Sequence, residues 1–180
     1  MDDGTMRGMY EAQCFLNRDA VHIPKLIEAS SHCVHILTTS LDYVCTYLQD
    51  PLRVALEKNQ KNPDYNIVML TMDPESEATN GRAEQLIRPL REFRDELRAA
   101  LDEMVRRFGN ESQVSILKYR TLPTQITYII DHVVVTAVVS IGLQSRDGVH
   151  FVMQENQALL GSFTTHFRRL MEVSVPVNPR

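Results

Sequence analysis

Apolar positions along this chain fall into two kinds of run, stepped and continuous. Ile23, Leu26, Ile27 and Cys33 step at helical spacing behind Pro24, which suits a first turn, and predict an opening helix. Val34–Thr39 is a short apolar run between polar residues and reads as a buried strand. Leu41 to Gln60 reads as helical, with an interruption at Asp50–Pro51, where Asp can cap and Pro can start a second helix. Tyr65 to Met72 is a continuous strand that stops at Asp73–Pro74–Glu75–Ser76. Leu86, Leu90, Phe93, Leu97, Leu101, Met104 and Phe108 form one stripe of a long helix that starts near Glu77 or Arg82, is split or kinked by Pro89, and closes at Gly109–Asn110. Four strands follow in quick succession: Val114–Tyr119, Gln125–Ile130, Val133–Gly142 and Val149–Gln154. Leu160, Phe163, Phe167 and Leu170 mark one face of a closing helix over Leu159–Met171.

Strands that alternate with helices and read as unbroken apolar runs suit a sheet covered on both faces, whereas the later run of strands requires hairpins. The expected architecture is α/β, a mixed sheet of about six to seven strands with helices on both faces. A flexible N-terminus over residues 1–14 is expected, then a single domain over 15–175, with Phe15–Ala20 adding an edge segment.

Composition narrows the function more by exclusion than by suggestion. The 180 residues are 43% hydrophobic and 23% charged, with a net charge of −4. That balance argues against direct nucleic-acid binding and against an anionic membrane surface, both of which need a concentrated basic field. The basic residues between Arg82 and Arg107 are interleaved with acids, the pattern of a solvated helix face. The N-terminus is too polar for a signal peptide, and Ile126–Leu143, the most apolar long window, contains Asp131 and His132 and reads as two strands. The three cysteines, Cys14, Cys33 and Cys45, make an odd count without a CxxC pair, so a reducing, cytoplasmic setting is the default.

Candidate chemistry sits at strand ends, because ligands of open α/β sheets bind beyond the carboxyl ends of the strands. Those ends supply Thr38–Thr39–Ser40, Asp73–Pro74–Glu75–Ser76, Tyr119–Arg120 and Gln154–Glu155–Asn156. The sharpest cluster combines Asp73 and Ser76 with Arg82, although both Asp73 and Ser76 are also ordinary helix-capping residues. His32, Cys33 and His35 do not complete a metal site, and His132 and His166 stand beside no nucleophile. No P-loop, GxGxxG, HExxH or GxSxG motif is present, and neither a metal nor a cofactor is implied.

Four features in order resemble one half-domain of the phospholipase D superfamily, closest to bacterial phospholipase D-like domains of unknown activity often fused behind helix-turn-helix regulators. They are the helix ending Ile27–Glu–Ala29 with the strand Val34–Ser40, the segment Ile67–Ser76 followed by Arg82, the acid of Ile129–Ile–Asp131, and Phe163–Leu170. The resemblance implies a histidine at Thr124, a lysine at Ile126 and an aspartate at Asp131. Only the aspartate is present, which implies a scaffold that has lost the superfamily's nucleophile. Active members build their site across two half-domains, so the resemblance also implies a homodimer, with a fused or partner regulatory domain. The expected function is therefore a non-catalytic ligand-binding or sensor domain for a small anionic molecule. Its candidate site residues are Thr39, Ser40, Asp73, Ser76, Arg82, Arg120 and Asp131, with no catalytic residue. The alternatives are an enzyme that uses other pocket residues on a phosphoester or nucleotide, and a dimerisation or interaction module.

Overall fold

A computed structural model describes residues 12–139, 141–142, 148–154 and 157–177, with side chains in the last helix from residue 160. The strands are β1 (Ala12–Phe15), β2 (Cys33–Leu37), β3 (Asn66–Met72), β4 (Val114–Tyr119), β5 (Gln125–Ile130), β6 (Val133–Val138), β7 (His150–Gln154) and β8 (Val175–Pro176). The helices are α1 (Ile23–Ala29), α2 (Gln49–Lys58), α3 (Glu77–Gln85), α4 (Leu90–Phe108) and α5 (Gln157–Glu172). All eight strands form one sheet in the order β1-β7-β6-β5-β2-β3-β4-β8. The central trio β2, β3 and β4 is parallel, and every other pairing is antiparallel.

The mixed α/β sheet expected from the sequence is present, with a strand count slightly above six to seven. The additional strands lie at the two edges. β1 pairs with β7 from Ala12 onward, ahead of the edge segment expected over Phe15–Ala20, and the two-residue β8 pairs with β4. Strands this short carry no periodic signal of their own and exist because a neighbour's edge is there to pair with. Residues 1–11 of the expected N-terminal segment, residue 140 of the expected 133–142 strand, and Glu155 and Asn156 lie outside the described residues.

One helical expectation needs correction and one is met. The helix after β2 does not break at Asp50–Pro51. Its irregularity is a π-helical turn at Val44–Leu48 that runs directly into α2, with Pro51 as the third residue of α2. The stripe ending at Phe108 is split rather than kinked, one of the two outcomes expected at Pro89, and belongs to α3 and α4. Ile87 adopts a left-handed backbone (φ 54°), and Pro89, which disfavours helix in the residue before it, starts α4 afresh.

Alternation along β3 explains why its run is continuous. Ile67 and Met69 enter one core with residues of α1, α2 and the C-terminal half of α4. Val68, Leu70 and Met72 enter a second core with Ala83 of α3, Phe93 and Leu97 of α4, and Phe167 of α5. A strand buried on both faces has no polar side to display.

Candidate functional site

At the carboxyl ends of the parallel strands the chain turns polar, and the structure brings most of the candidate residues together there. Asp73 follows β3 and is only 1% exposed. Its carboxylate accepts from the Arg120 guanidinium at 2.9 Å and the Glu75 backbone N–H at 3.2 Å, and pairs with Lys118 at 3.4 Å. Burial alone would raise its pKa. The Arg120 and Glu75 donors, with the Lys118 charge, outweigh that and hold the carboxyl below its ordinary value.

Ser76 stands at the start of α3, yet its hydroxyl does not cap the helix. It donates to the Asp73 carbonyl at 2.9 Å, and the Thr79 hydroxyl donates to the same oxygen at 2.7 Å. Asp73 therefore organises this turn through its carbonyl as well as its carboxylate. Ser40 accepts from the Asp42 N–H at 3.1 Å and so shapes the turn after β2. Thr39 is buried, and its carbonyl accepts from the Thr71 hydroxyl at 3.2 Å. Arg82 is buried on α3 and reaches Gln85 Oε1 at 3.2 Å. Burial lowers its pKa, against a compensating interaction with Tyr119, whose own hydroxyl donates to the Thr38 carbonyl at 3.0 Å.

Asp131 lies apart from these six residues. In the β5–β6 turn it adopts a left-handed backbone (φ 51°), a conformation Asp tolerates better than most residues. Its carboxylate receives the backbone N–H groups of Ser31 at 2.9 Å, His32 at 2.8 Å and Cys33 at 2.9 Å, with the Ser31 hydroxyl at 3.3 Å. It is thus at the amino end of β2, a strand's length from Thr39, because β5 runs antiparallel to β2. Desolvation would raise its pKa, but the three backbone donors prevail and lower it.

A pocket of about 120 Å³ opens beside the polar strand ends. Its walls are Leu37, Tyr119, the loop Thr121–Gln125, and His166 and Leu170 of α5. Sequence reasoning passed over His166. The available signal was position: it falls three residues after Phe163 and four before Leu170, a polar residue on the apolar face of α5. Leu37 belongs to the core under α5, and Leu170 packs against it. Ile126 instead belongs, at 2% exposure, to the core on the opposite face of the sheet. So Thr124 reaches the pocket from the end of β5, and Ile126 does not.

His35, Cys33 and His32 do not gather into a metal site, and no metal-binding cluster occurs among the described residues. The His35 ring stacks on Phe167 with 4.9 Å between centroids and bonds Asn66 at 2.8 Å, which accounts for it as packing. None of the described helices is long and apolar enough to cross a membrane.

No protein-family model matches the sequence, and no curated protein matches it. Solved structures do. Nuc from Salmonella typhimurium, a phospholipase D family member, is 12% identical with a TM-score of 0.62, over 94% of this chain and 99% of that one. NucT from Helicobacter pylori is 10% identical with a TM-score of 0.59, over 93% and 99%. TrmBL2, an archaeal chromatin protein with a novel mode of DNA binding, is 9% identical with a TM-score of 0.60, and the match takes in 93% of this chain but 55% of that protein. Likeness at such identities concerns the fold: the chain has a phospholipase D-like fold.

Proposed function

We propose that this domain is a non-catalytic ligand-binding, regulatory module on a phospholipase D-like scaffold. The observation that carries the reading is Ile126, buried at 2% exposure where the resemblance calls for a lysine. An ammonium could not stand there without losing its hydration, and Thr124 in the histidine position offers no nitrogen to attack phosphorus. Asp73 and Arg120, the strongest charged pair at the strand ends, satisfy each other, which fits a braced rim better than a general acid or base.

Ligand binding rests on the pocket beneath α5. Its volume is well below the several hundred Å³ typical of drug-sized sites, so the ligand has few non-hydrogen atoms. The lining favours a compact, largely apolar body with one polar or anionic group directed at the His166 imidazole and the Thr124 hydroxyl. A homodimer and a fused or partner regulatory domain belong to the same reading. The DNA binding of the archaeal chromatin protein does not transfer readily, since a net charge of −4 supplies no general attraction for phosphates.

A thermal-shift screen of small carboxylic acids tests this. A ligand at about 100 times its Kd adds roughly 2.7 kcal/mol, or about 5–10 °C in Tm for a domain of this size, and should not be turned over. His166→Ala should abolish the shift without unfolding the domain. Turnover of a phosphodiester that is lost in Asp73→Ala would favour the enzyme instead. A screen that stabilises nothing would remove the ligand-binding claim.

A further inference from the structure

On the face of the sheet away from the α5 pocket, four aromatic and basic side chains meet in an arrangement that none of the preceding roles uses. Arg18, just before a short 3-10 turn at Asp19–Val21, is only 7% exposed. Its guanidinium lies 3.3 Å from the centroid of the Tyr43 ring. Tyr128 of β5 and His150 of β7 are each 1% exposed. Tyr43 and Tyr128 share one core, and the β5–β6–β7 register sets His150 across β6 from Ile126, two residues before Tyr128 on the same face, where the Arg18 charge acts on both tyrosines and on His150.

The hydrogen-bond inventory of this cluster is incomplete. Among the described residues, Arg18 Nε and His150 Nε2 are buried without a partner, and the Tyr128 hydroxyl, which approaches the Arg18 guanidinium, has no acceptor for its proton. Buried polar atoms are paired in the large majority of cases, and a buried guanidinium nearly always has an anion. Arg18 forms no ion pair with a carboxylate of the described residues. Asp19, the acid of the described residues that acts on Tyr43 and His150, does so only through its charge.

His150 Nδ1–H donates to the Gly148 carbonyl at 2.8 Å, so its Nε2 is bare in the neutral ring and becomes a donor on protonation. The cluster therefore offers a guanidinium, a phenol and a titratable imidazole, with no carboxylate of the described residues paired to them.

We propose that Arg18, Tyr128 and His150 form a second site, which takes a small oxoanion: inorganic phosphate, or the phosphate or carboxylate group of a metabolite. Arg18 supplies the charge and a planar fork of donors, held flat by the Tyr43 ring. The Tyr128 hydroxyl and protonated His150 complete the ring of donors. The site is independent of the α5 pocket: Tyr43 and Tyr128 belong to the opposite core from Leu37 and Tyr119. His166→Ala should leave it intact.

The test uses sulfate, whose charge is constant across the pH range of interest, with inorganic phosphate alongside. Each should raise Tm saturably beyond sodium chloride at matched ionic strength. Tyr128→Phe is the informative variant, because among the described residues the hydroxyl it removes approaches only the Arg18 guanidinium, a donor that leaves the phenol proton without an acceptor. It should change Tm little without anion and weaken sulfate binding roughly tenfold or more, as loss of a charge-assisted hydrogen bond does. Sulfate should also bind more tightly at pH 6 than at pH 8. Burial and the Arg18 charge lower the His150 pKa in the free protein, and a bound dianion favours the imidazolium.

Glycerol phosphate and acetate separate the two sources, and a response to either supports the site. Arg18→Gln should remove the response, and Tyr128→Phe decides the matter if Arg18→Gln does not fold. No stabilisation beyond chloride overturns the proposal. So does an unchanged sulfate response in Tyr128→Phe, whatever that variant's own stability.

Discussion

Replacing Asp131 with alanine measures how firmly the β5–β6 turn is tied to the start of β2. The substitution removes an acceptor of three backbone N–H bonds at 2.8–2.9 Å, from residues 98 to 100 positions earlier in the chain. Bonds to a charged partner contribute about 1.5–3 kcal/mol each, but Ser31 and His32 are exposed and water can replace the acceptor, so the set is worth about 2–4 kcal/mol. Alanine must also hold a left-handed backbone, at about 1 kcal/mol more. The sum of roughly 3–5 kcal/mol corresponds to a Tm loss of roughly 6–20 °C for a domain of this size.

Urea and thermal unfolding of the wild type, Asp131→Ala and Asp131→Asn give the comparison. Asparagine tolerates the left-handed backbone and keeps one acceptor oxygen, so it should fall between the other two. The acid limb adds a second readout. Because the folded pKa lies below the ordinary 3.8, the carboxylate's contribution is complete above the unfolded value. It is lost as pH falls through the folded one, and Asp131→Asn should flatten that loss. An Asp131→Ala variant within about 0.5 kcal/mol of wild type would refute the bracing role, as would asparagine costing as much as alanine.

Three further outcomes follow from the same geometry. Ile126→Lys should cost at least about 3 kcal/mol by placing an unpaired charge in the core, and Thr124→His/Ile126→Lys should yield no soluble phosphodiesterase; unfolding curves and a diester assay check both. Asp73→Ala should destabilise by about 1–3 kcal/mol in urea melts, mainly through the lost acceptor for the Glu75 N–H, since the Ser76 and Thr79 bonds go to the retained carbonyl and Arg120, 64% exposed at its side chain, can return to water. His35 has its pKa lowered, by burial against the Asn66 bond, so its neutral form stabilises the fold above the unfolded pKa near 6.5. That contribution is lost as pH falls below it, and His35→Phe should reduce the slope of stability between pH 7 and pH 5, with His150 supplying the remainder.

Much of the candidate site was legible because it is local. Asp73, Pro74, Glu75 and Ser76 mark the end of an apolar run, and the turn they form is held by contacts within six residues. Arg120 could be placed at the same edge because Tyr119 ends another such run. The role of Asp131 was not legible, because its partners begin at Ser31 and reach it only through the β2–β5 pairing. His166 looked unremarkable until α5 laid it over the loop Thr121–Gln125. Arg18 drew no notice at all. Its surroundings come from Tyr43, Tyr128 and His150, three segments that share no local pattern.

Local sequence thus determined the elements and their class: apolar runs of strand length, stripes at helical spacing, and Pro89 dividing two helices. These follow from the backbone's own periodicities and from what each residue permits its neighbours. Tertiary structure alone decided which short edges become strands, which face of the sheet each β5 side chain meets, and which polar atoms remain unpaired. Those outcomes depend on contacts between residues far apart in the chain, and burial sets the worth of a charge or a hydrogen bond only after the chain has closed around it.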